Sequence, residues 1–136
     1  MAAQEIEREK KREDRAGIAY IYSTFNNTIV HITDLAGNTI AQVSGGEVTK
    51  HDRLKATPTV AMFAAKRAAD TAREQGINSL YVRIKSKPGA TSSGPGAHAA
   101  IKSLSKSGMY IINIVDATPK PRGGPKVKGG RRGRRV

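Results

Sequence analysis

Carboxylates that could hold metal ions are sparse in this chain. Two-metal cleavage of a phosphodiester needs several carboxylates within a few ångströms of each other. Beyond residue 15 the acidic side chains are Asp34, Glu47, Asp52, Asp70, Glu74 and Asp116. Asp34 falls in a "DLAGN" turn, where aspartate usually bonds the local backbone, and only Asp116 is predicted at the end of a strand. One carboxylate does not hold two metal ions, so the acids do not favour a hydrolase.

Thiol and histidine chemistry has equally little support. The chain has no cysteine, which excludes disulfides, thiolate metal sites and thiol nucleophiles. His31 falls within the alternating pattern "TIVHITD" with no carboxylate pair nearby, so it is predicted to be a residue of a sheet. We therefore expect no cofactor and no metal ion.

The loop "KSKPGATSSGPGAH" resembles a phosphate-binding loop in composition. Gly89 and Gly94 have the spacing of the P-loop glycines, but Pro95 and Gly96 stand where that motif needs lysine and a hydroxyl. Glycines that open a helix still let free backbone amides approach an anion. The bases that precede them are Arg83, Lys85 and Lys87. The alternative is an ordinary helix cap on a surface loop.

Basic residues outnumber acidic ones and cluster in particular stretches of the chain. The formal charge is +13, and residues 1–15 carry five acids and five bases, so all of the excess follows Arg15. The stretch "GGEVTKHDRLKATP" carries Lys50, Arg53 and Lys55. The ending "KPRGGPKVKGGRRGRRV" has no acid, and its bases are Lys120, Arg122, Lys126, Lys128, Arg131, Arg132, Arg134 and Arg135. Such clustering indicates a surface that faces a polyanion, and nucleic acid is the predicted partner.

The C-terminal segment is predicted to be disordered when free. Its only bulky apolar side chains are Val127 and Val136, which bury too little surface to offset the entropy of ordering. The chain has four tyrosines and two phenylalanines, which argues against an aromatic stacking platform. Recognition of RNA should therefore depend on phosphates, sugars and shape.

Strand and helix patterns alternate along the rest of the chain. Three strands are predicted within residues 16–44, followed by a helix from Thr57 to Gly76 and a strand at "SLYVRIK". A second helix from Gly94 to Gly108 precedes a fifth strand at "YIINIVD". This order predicts an α/β sandwich with a mixed sheet of ribonuclease H-like topology, βββαβαβ. That likeness keeps a ribonuclease H-like nuclease open as an alternative.

The predicted organisation is one domain with two extensions. We expect a charged N-terminal arm at residues 1–15, a globular domain at 16–118 and a basic extension at 119–136. No run approaches the roughly 18 apolar residues of a membrane span, and "MAAQEIEREKKREDR" has charges where a signal peptide is apolar. The expected protein is soluble, not secreted and not bound to a membrane.

Four separated motifs carry a resemblance to a known family. In order, "FNNTIVHITDLAGNTIAQVSGG", "SGPGAHAAIKSLSKSGM", "DATPKP" and "GGRRGRRV" resemble the universal small-subunit ribosomal protein eleven family in its archaeal and eukaryotic form. The resemblance runs from about Gly17 to Val136. The absence of cysteine and the compact length are more typical of the archaeal form.

The resemblance implies a structural, non-catalytic protein of the cytoplasmic ribosome. It implies binding to small-subunit rRNA in the platform near the mRNA exit path, support for subunit assembly and translation, and neighbouring platform proteins over part of the surface. By motif, the expected rRNA-facing residues before the tail are Phe25, Asn26, Asn27, Ser44, Gly45, Gly46, Lys50, Arg53, Gly94, Pro95 and Gly96. The tail from Pro119 to Arg135 is expected to contact rRNA as well. A free RNA chaperone stays open as a second alternative.

Overall fold

The computed structural model describes residues 2–5, 15–88 and 94–125. The strands are β1 (Ala16–Ser23), β2 (Thr28–Asp34), β3 (Thr39–Ser44), β4 (Ser79–Lys85) and β5 (Tyr110–Asp116). The helices are α1 (Gly45–Val48), α2 (Pro58–Glu74) and α3 (Gly96–Lys106), with a 3-10 turn at Asp52–Leu54. Residues 2–5 are also helical, and the rest of the predicted N-terminal arm except Arg15 lies outside the described residues.

The five strands form one mixed sheet in the order β3-β2-β1-β4-β5. Neighbours β1 and β2, and β2 and β3, are antiparallel, whereas β4 runs parallel to both β1 and β5. The predicted mixed α/β class is confirmed. The short helix α1 and the 3-10 turn after it were not predicted, because glycine and charged residues in "GGEVTKHDR" read as a loop.

Both long helices pack on the same face of the sheet. The connections from β3 to β4 and from β4 to β5 move in the same direction across the sheet, and right-handed crossovers then place both helices on one side. Along β1, β2 and the first half of β4, every second side chain is buried beneath them, including Ala19, Ile21, Val30 and Val82. We call the opposite side, which carries Tyr20, the open face; none of the described helices covers it.

Helix α2 owes its close approach to the sheet to alanine. The buried side chains at helical spacing are Ala61, Ala64, Ala65, Ala68, Ala69 and Ala72. Pro58 occupies the first turn, and Gly76, with φ at +89°, stands just beyond the last turn in the left-handed conformation. The predicted helix bounds are therefore confirmed.

Thr57 stands at the N-cap position of α2, but its side chain does not cap the helix. The Oγ1 atom of Thr57 donates to the carbonyl oxygen of Leu54 at 2.7 Å, and no side-chain cap bond forms. The 3-10 turn just before the helix brings that carbonyl within reach. None of the described helices is long and apolar enough to cross a bilayer.

Candidate nucleic-acid interface

One end of the sheet gathers the predicted segments. Strands β1, β3, β4 and β5 point the same way and β2 points the opposite way. The carboxyl ends of the first four and the amino end of β2 therefore meet at one end of the sheet. We call this the loop end, and it comprises residues 23–28, 44–55, 85–88, 94–96 and 116–125. It is the end at which open α/β sheets commonly bind ligands.

The hairpin between β1 and β2 is organised by Thr24. Its backbone amide donates to the carbonyl of Asn27 at 2.9 Å, and its Oγ1 accepts from the amides of Asn26 and Asn27 at 3.3 and 3.1 Å. The Oδ1 atom of Asn27 accepts from the amide of Thr28 at 2.8 Å. Phe25 is 70% exposed. The hairpin therefore presents Phe25 and Asn26 to solvent, while Asn27 serves the turn itself.

The start of α3 packs directly against this hairpin. The amide of Gly94 donates to the carbonyl of Ser23 at 3.2 Å. A Cβ atom on Gly94 would lie 2.3 Å from the carbonyl oxygen of Thr24, and one on Gly96 would lie 2.4 Å from Oγ1 of Thr28. No side chain fits at either position without movement of its neighbours. These two glycines therefore serve close packing, and the amide of Gly94 is not free to bind an anion as the sequence suggested.

Residues 44–46 contact the same hairpin from the other side. A Cβ atom on Gly45 would lie 2.5 Å from the carbonyl oxygen of Lys55 and 2.7 Å from Oδ1 of Asn27. Gly46 is exposed. The guanidinium of Arg67 on α2 donates to the carbonyl of Glu47 at 3.2 Å and holds α1 in place. Three predicted groups, at residues 25–27, 44–46 and 94–96, are thus brought together.

The loop between α1 and α2 supplies exposed cations. Lys55 pairs with Asp52 at 2.8 Å, and the hydrogen bond and charge of Lys55 lower the pKa of that carboxyl. Lys50 and Arg53 are exposed, and among the described residues neither makes an ion pair. Of the three predicted bases here, these two have charges available for a partner.

Arg83 and Lys85 point to the open face. Their charged groups lie 5.9 and 5.7 Å from the centre of the Tyr20 ring, within the range of cation–π contact. Lys87 follows β4 and is exposed at the loop end. The side chains of Arg83 and Lys85 are therefore directed toward Tyr20 on the open face.

The chain after β5 is fastened to the end of β4. The amide of Ala117 donates to the carbonyl of Ile84 at 2.8 Å, and the amide of Ser86 donates to Oγ1 of Thr118 at 3.0 Å. That hydroxyl in turn donates to the carboxylate of Asp116 at 2.7 Å. The hydroxyl and the amide of Thr118 lower the pKa of Asp116. The basic extension therefore leaves the domain from a defined point.

Beyond that point the described tail is exposed. Lys120 and Arg122 are solvent-accessible at the loop end. The predicted contacts Lys126, Lys128, Arg131, Arg132, Arg134 and Arg135 lie outside the described residues. Ser86 and Thr118 were missed in the sequence, although the Asp-x-Thr spacing of "DAT" is a signal for a local bond of this kind.

The carboxylates do not converge. Asp34 accepts from the amide of Asn38 at 2.9 Å, as predicted for its turn, and this bond lowers its pKa. Asp116 bonds Thr118. Within residues 2–5, 15–88 and 94–125, no three His, Asp or Glu side chains are grouped so as to hold a metal ion.

Comparison with protein families identifies the chain. The family model described as Ribosomal protein S11 matches residues 17–132, which takes in the sheet, α2, α3 and most of the basic extension. This agrees with the resemblance carried by the four sequence motifs. The family consists of structural proteins of the small ribosomal subunit and is not a family of enzymes. The chain therefore belongs to the ribosomal protein S11 family.

Proposed function

We propose that the chain binds small-subunit rRNA through its loop end, in the platform near the mRNA exit path, and so supports subunit assembly and translation. One observation carries this proposal. Three segments that are far apart in sequence pack on each other, at residues 25–27, 44–46 and 94–96. Their contacts are made at glycines where a side chain would overlap neighbouring atoms. A surface fixed in this way has the rigidity needed to recognise folded RNA by shape.

Charge surrounds the rigid part of this surface. Lys50 and Arg53 flank it on one side, and Lys87, Lys120 and Arg122 follow the ends of β4 and β5. Such bases position phosphates without reading bases. Phe25 is 70% exposed at the described loop end, and its ring supplies a face on which a base can stack.

The basic extension adds affinity for rRNA, and the domain fixes the point at which the extension begins. Residues 119–136 start beside the hydrogen-bonded group of Ser86, Asp116 and Thr118, and they carry bases with no acid. We propose that this extension orders only when it binds rRNA, because its composition cannot form a core. Neighbouring platform proteins then cover part of the surface that rRNA leaves free.

The domain boundaries and topology are part of the same proposal. The strand order β3-β2-β1-β4-β5 and the helix order support a ribonuclease H-like topology for residues 16–118. Residues 1–15, with equal numbers of acids and bases, form a separate arm. The proposal assigns that arm no phosphate contacts.

Charge-removal variants test the site. We expect Lys50→Gln and Arg53→Gln each to weaken binding to the platform region of small-subunit rRNA and to reduce the salt slope by about 1. Lys66→Gln is the matched control, because Lys66 is an exposed base on α2 and is not one of the loop-end residues. Equal effects of all three variants would remove the loop end from the site.

Sedimentation separates this function from a free RNA chaperone. A structural constituent should travel with the small subunit in cell extract and stay there in moderate salt. A chain found mainly outside particles would favour the chaperone.

A further inference from the structure

Strand β5 is an unpaired edge of the described sheet. It pairs with β4 on one side only. The amide of Ala117 donates to Ile84 of β4, and backbone groups of successive strand residues point alternately to the two sides. The amides of Asp116 and Ile114 therefore face away from β4. No described residue pairs with this edge.

The side chains of β5 are unusually apolar for an edge. Those of Tyr110, Ile112, Ile114 and Val115 are 69, 39, 52 and 48% exposed. Edge strands normally carry charges or proline, or are short, to prevent pairing with other chains. Residues 110–115 have neither charge nor proline. The pairing of β4 with β5 shifts register between Leu80 and Tyr81 and is regular from there to Ile84. The shift therefore does not prevent another strand from pairing with residues 113–116.

A groove with one basic residue in its lining lies on the open face and runs from β1 across β4 to β5 at this edge. It has a volume of about 400 Å³, and Ile18, Leu35, Tyr81 and Val115 form its apolar lining. Arg83, opposite Val115 in the ladder, is also part of the wall. Within the described part of the chain the only ion pair joins Lys55 and Asp52. Arg83 therefore has no carboxylate partner among these residues, and an acidic group would complement the groove.

We infer that an extended segment of another small-subunit protein binds here as a sixth strand. Its backbone pairs with the outward amides of Ile114 and Asp116, an apolar side chain fills the groove, and an acidic side chain meets Arg83. A sugar-phosphate backbone does not supply the alternating donors and acceptors that an open strand edge requires. The edge therefore selects a polypeptide over rRNA.

This inference is separate from the proposed rRNA site. It depends on the family assignment, which places the chain among small-subunit proteins, and not on any contact at the loop end. Measurement of rRNA binding by the free chain therefore tests the rRNA site at the loop end and does not bear on strand pairing at β5.

The experiment uses purified small subunits that carry a photoreactive benzophenone side chain at residue 35. Leu35 is 63% exposed and lines the groove without belonging to β5. After irradiation and digestion, mass spectrometry identifies what is attached. We expect a peptide of another small-subunit protein with acidic and apolar residues. An attached nucleotide, a peptide of this same chain, or no adduct would overturn the inference.

Two substitutions at Ile114 test whether the contact is strand pairing. Ile114→Pro removes the outward amide, and proline is tolerated where the N–H faces away from the sheet. Ile114→Val keeps the amide and is the control. We expect the proline variant to lower the adduct yield by about tenfold and the valine variant to leave it unchanged. Equal yields from both variants would exclude pairing along this edge.

A third variant covers the case in which proline disturbs folding. Val115→Glu keeps the backbone intact at a half-exposed position and places a carboxylate opposite Arg83, where it competes with the acidic side chain of the partner. It should also reduce the adduct yield, and an unchanged yield would count against the groove. For each variant, thermal unfolding and rRNA binding of the free chain should match those of the unchanged protein.

Discussion

The amide of Gly94 donates to the carbonyl oxygen of Ser23 across 3.2 Å. This bond joins the end of β1 to the start of α3, two points distant in sequence. A Cβ atom on Gly94 would overlap the carbonyl of Thr24. The placement of α3 against the hairpin therefore depends on the absence of a side chain at residue 94.

We expect Gly94→Ala to lower the free energy of unfolding by about 1–3 kcal/mol, because a backbone carbonyl must move to admit the methyl group. Urea unfolding of the full chain measures this change. Gly124→Ala is the control, since no atom lies within 4 Å of a Cβ there; its effect should stay within about 0.5 kcal/mol. Similar values for the two variants would show that the contact is not restrictive.

Adjacent glycines in α1 give a second matched pair. A Cβ on Gly45 would meet the carbonyl oxygen of Lys55 at 2.5 Å, whereas the nearest atom to one on Gly46 is the flexible Cε of Lys55 at 3.5 Å. We therefore expect Gly45→Ala to lower the thermal midpoint and Gly46→Ala to preserve it. If Gly46→Ala were the more damaging substitution, the described packing of α1 would be incorrect.

Phe25 should affect binding and not stability. Its ring is 70% exposed, so Phe25→Ala should change the free energy of unfolding by less than about 0.5 kcal/mol. Loss of a stacked base should weaken rRNA binding by about 1–3 kcal/mol. Leu35→Ala, at the opposite end of the sheet, should leave rRNA affinity unchanged. A filter-binding titration with platform rRNA distinguishes these outcomes.

Thr118 controls the titration of Asp116. Its hydroxyl, then its amide, lower the pKa of that carboxyl below the ordinary value of 3.8. Because the folded-state pKa is depressed, the stabilisation is present above pH 3.8 and is lost as the pH falls through the lower, folded value. We expect Thr118→Val to raise the pKa of Asp116 toward 3.8, as measured by carboxyl NMR. Asp34, whose pKa is lowered by Asn38, should titrate identically in both proteins.

The tail should dominate the salt dependence of rRNA binding. If about six of its charges meet phosphates, deletion of residues 120–136 should reduce the log–log salt slope by roughly 4 to 5. Deletion of residues 1–15 is the control, because five acids balance five bases there. An unchanged slope after the tail deletion would mean that the tail does not contact phosphates in the complex.

Local patterns were sufficient to predict most of the fold. The alternation in "TIVHITD" and the alanine spacing of α2 are each set by one buried face, so they can be read from the sequence. Gly76 and Gly108, both with φ at +89°, end their helices as predicted. Helix α1 was missed because glycine at residues 45 and 46 disfavours a helix, and its formation depends on contacts with α2 and the 3-10 turn.

The contacts within the candidate site were harder to predict. Sequence motifs placed Gly45 and Gly94 in loops, but their approach to the hairpin follows from the strand order, which local patterns do not specify. The bond between Ser86 and Thr118 joins residues 32 positions apart. Likewise, the direction of Arg83 toward Tyr20 depends on the pairing of β4 with β1.

The alanine face of α2 has a consequence for the amount of folded protein. Alanine buries far less apolar area than leucine, so this helix gains little hydrophobic free energy for its length. Ligand binding to the native state adds stability that grows with ligand concentration, about 2.7 kcal/mol at one hundred times Kd. The folded population of unassembled chains should therefore rise and fall with the supply of rRNA, so that excess copies unfold and become substrates for proteolysis.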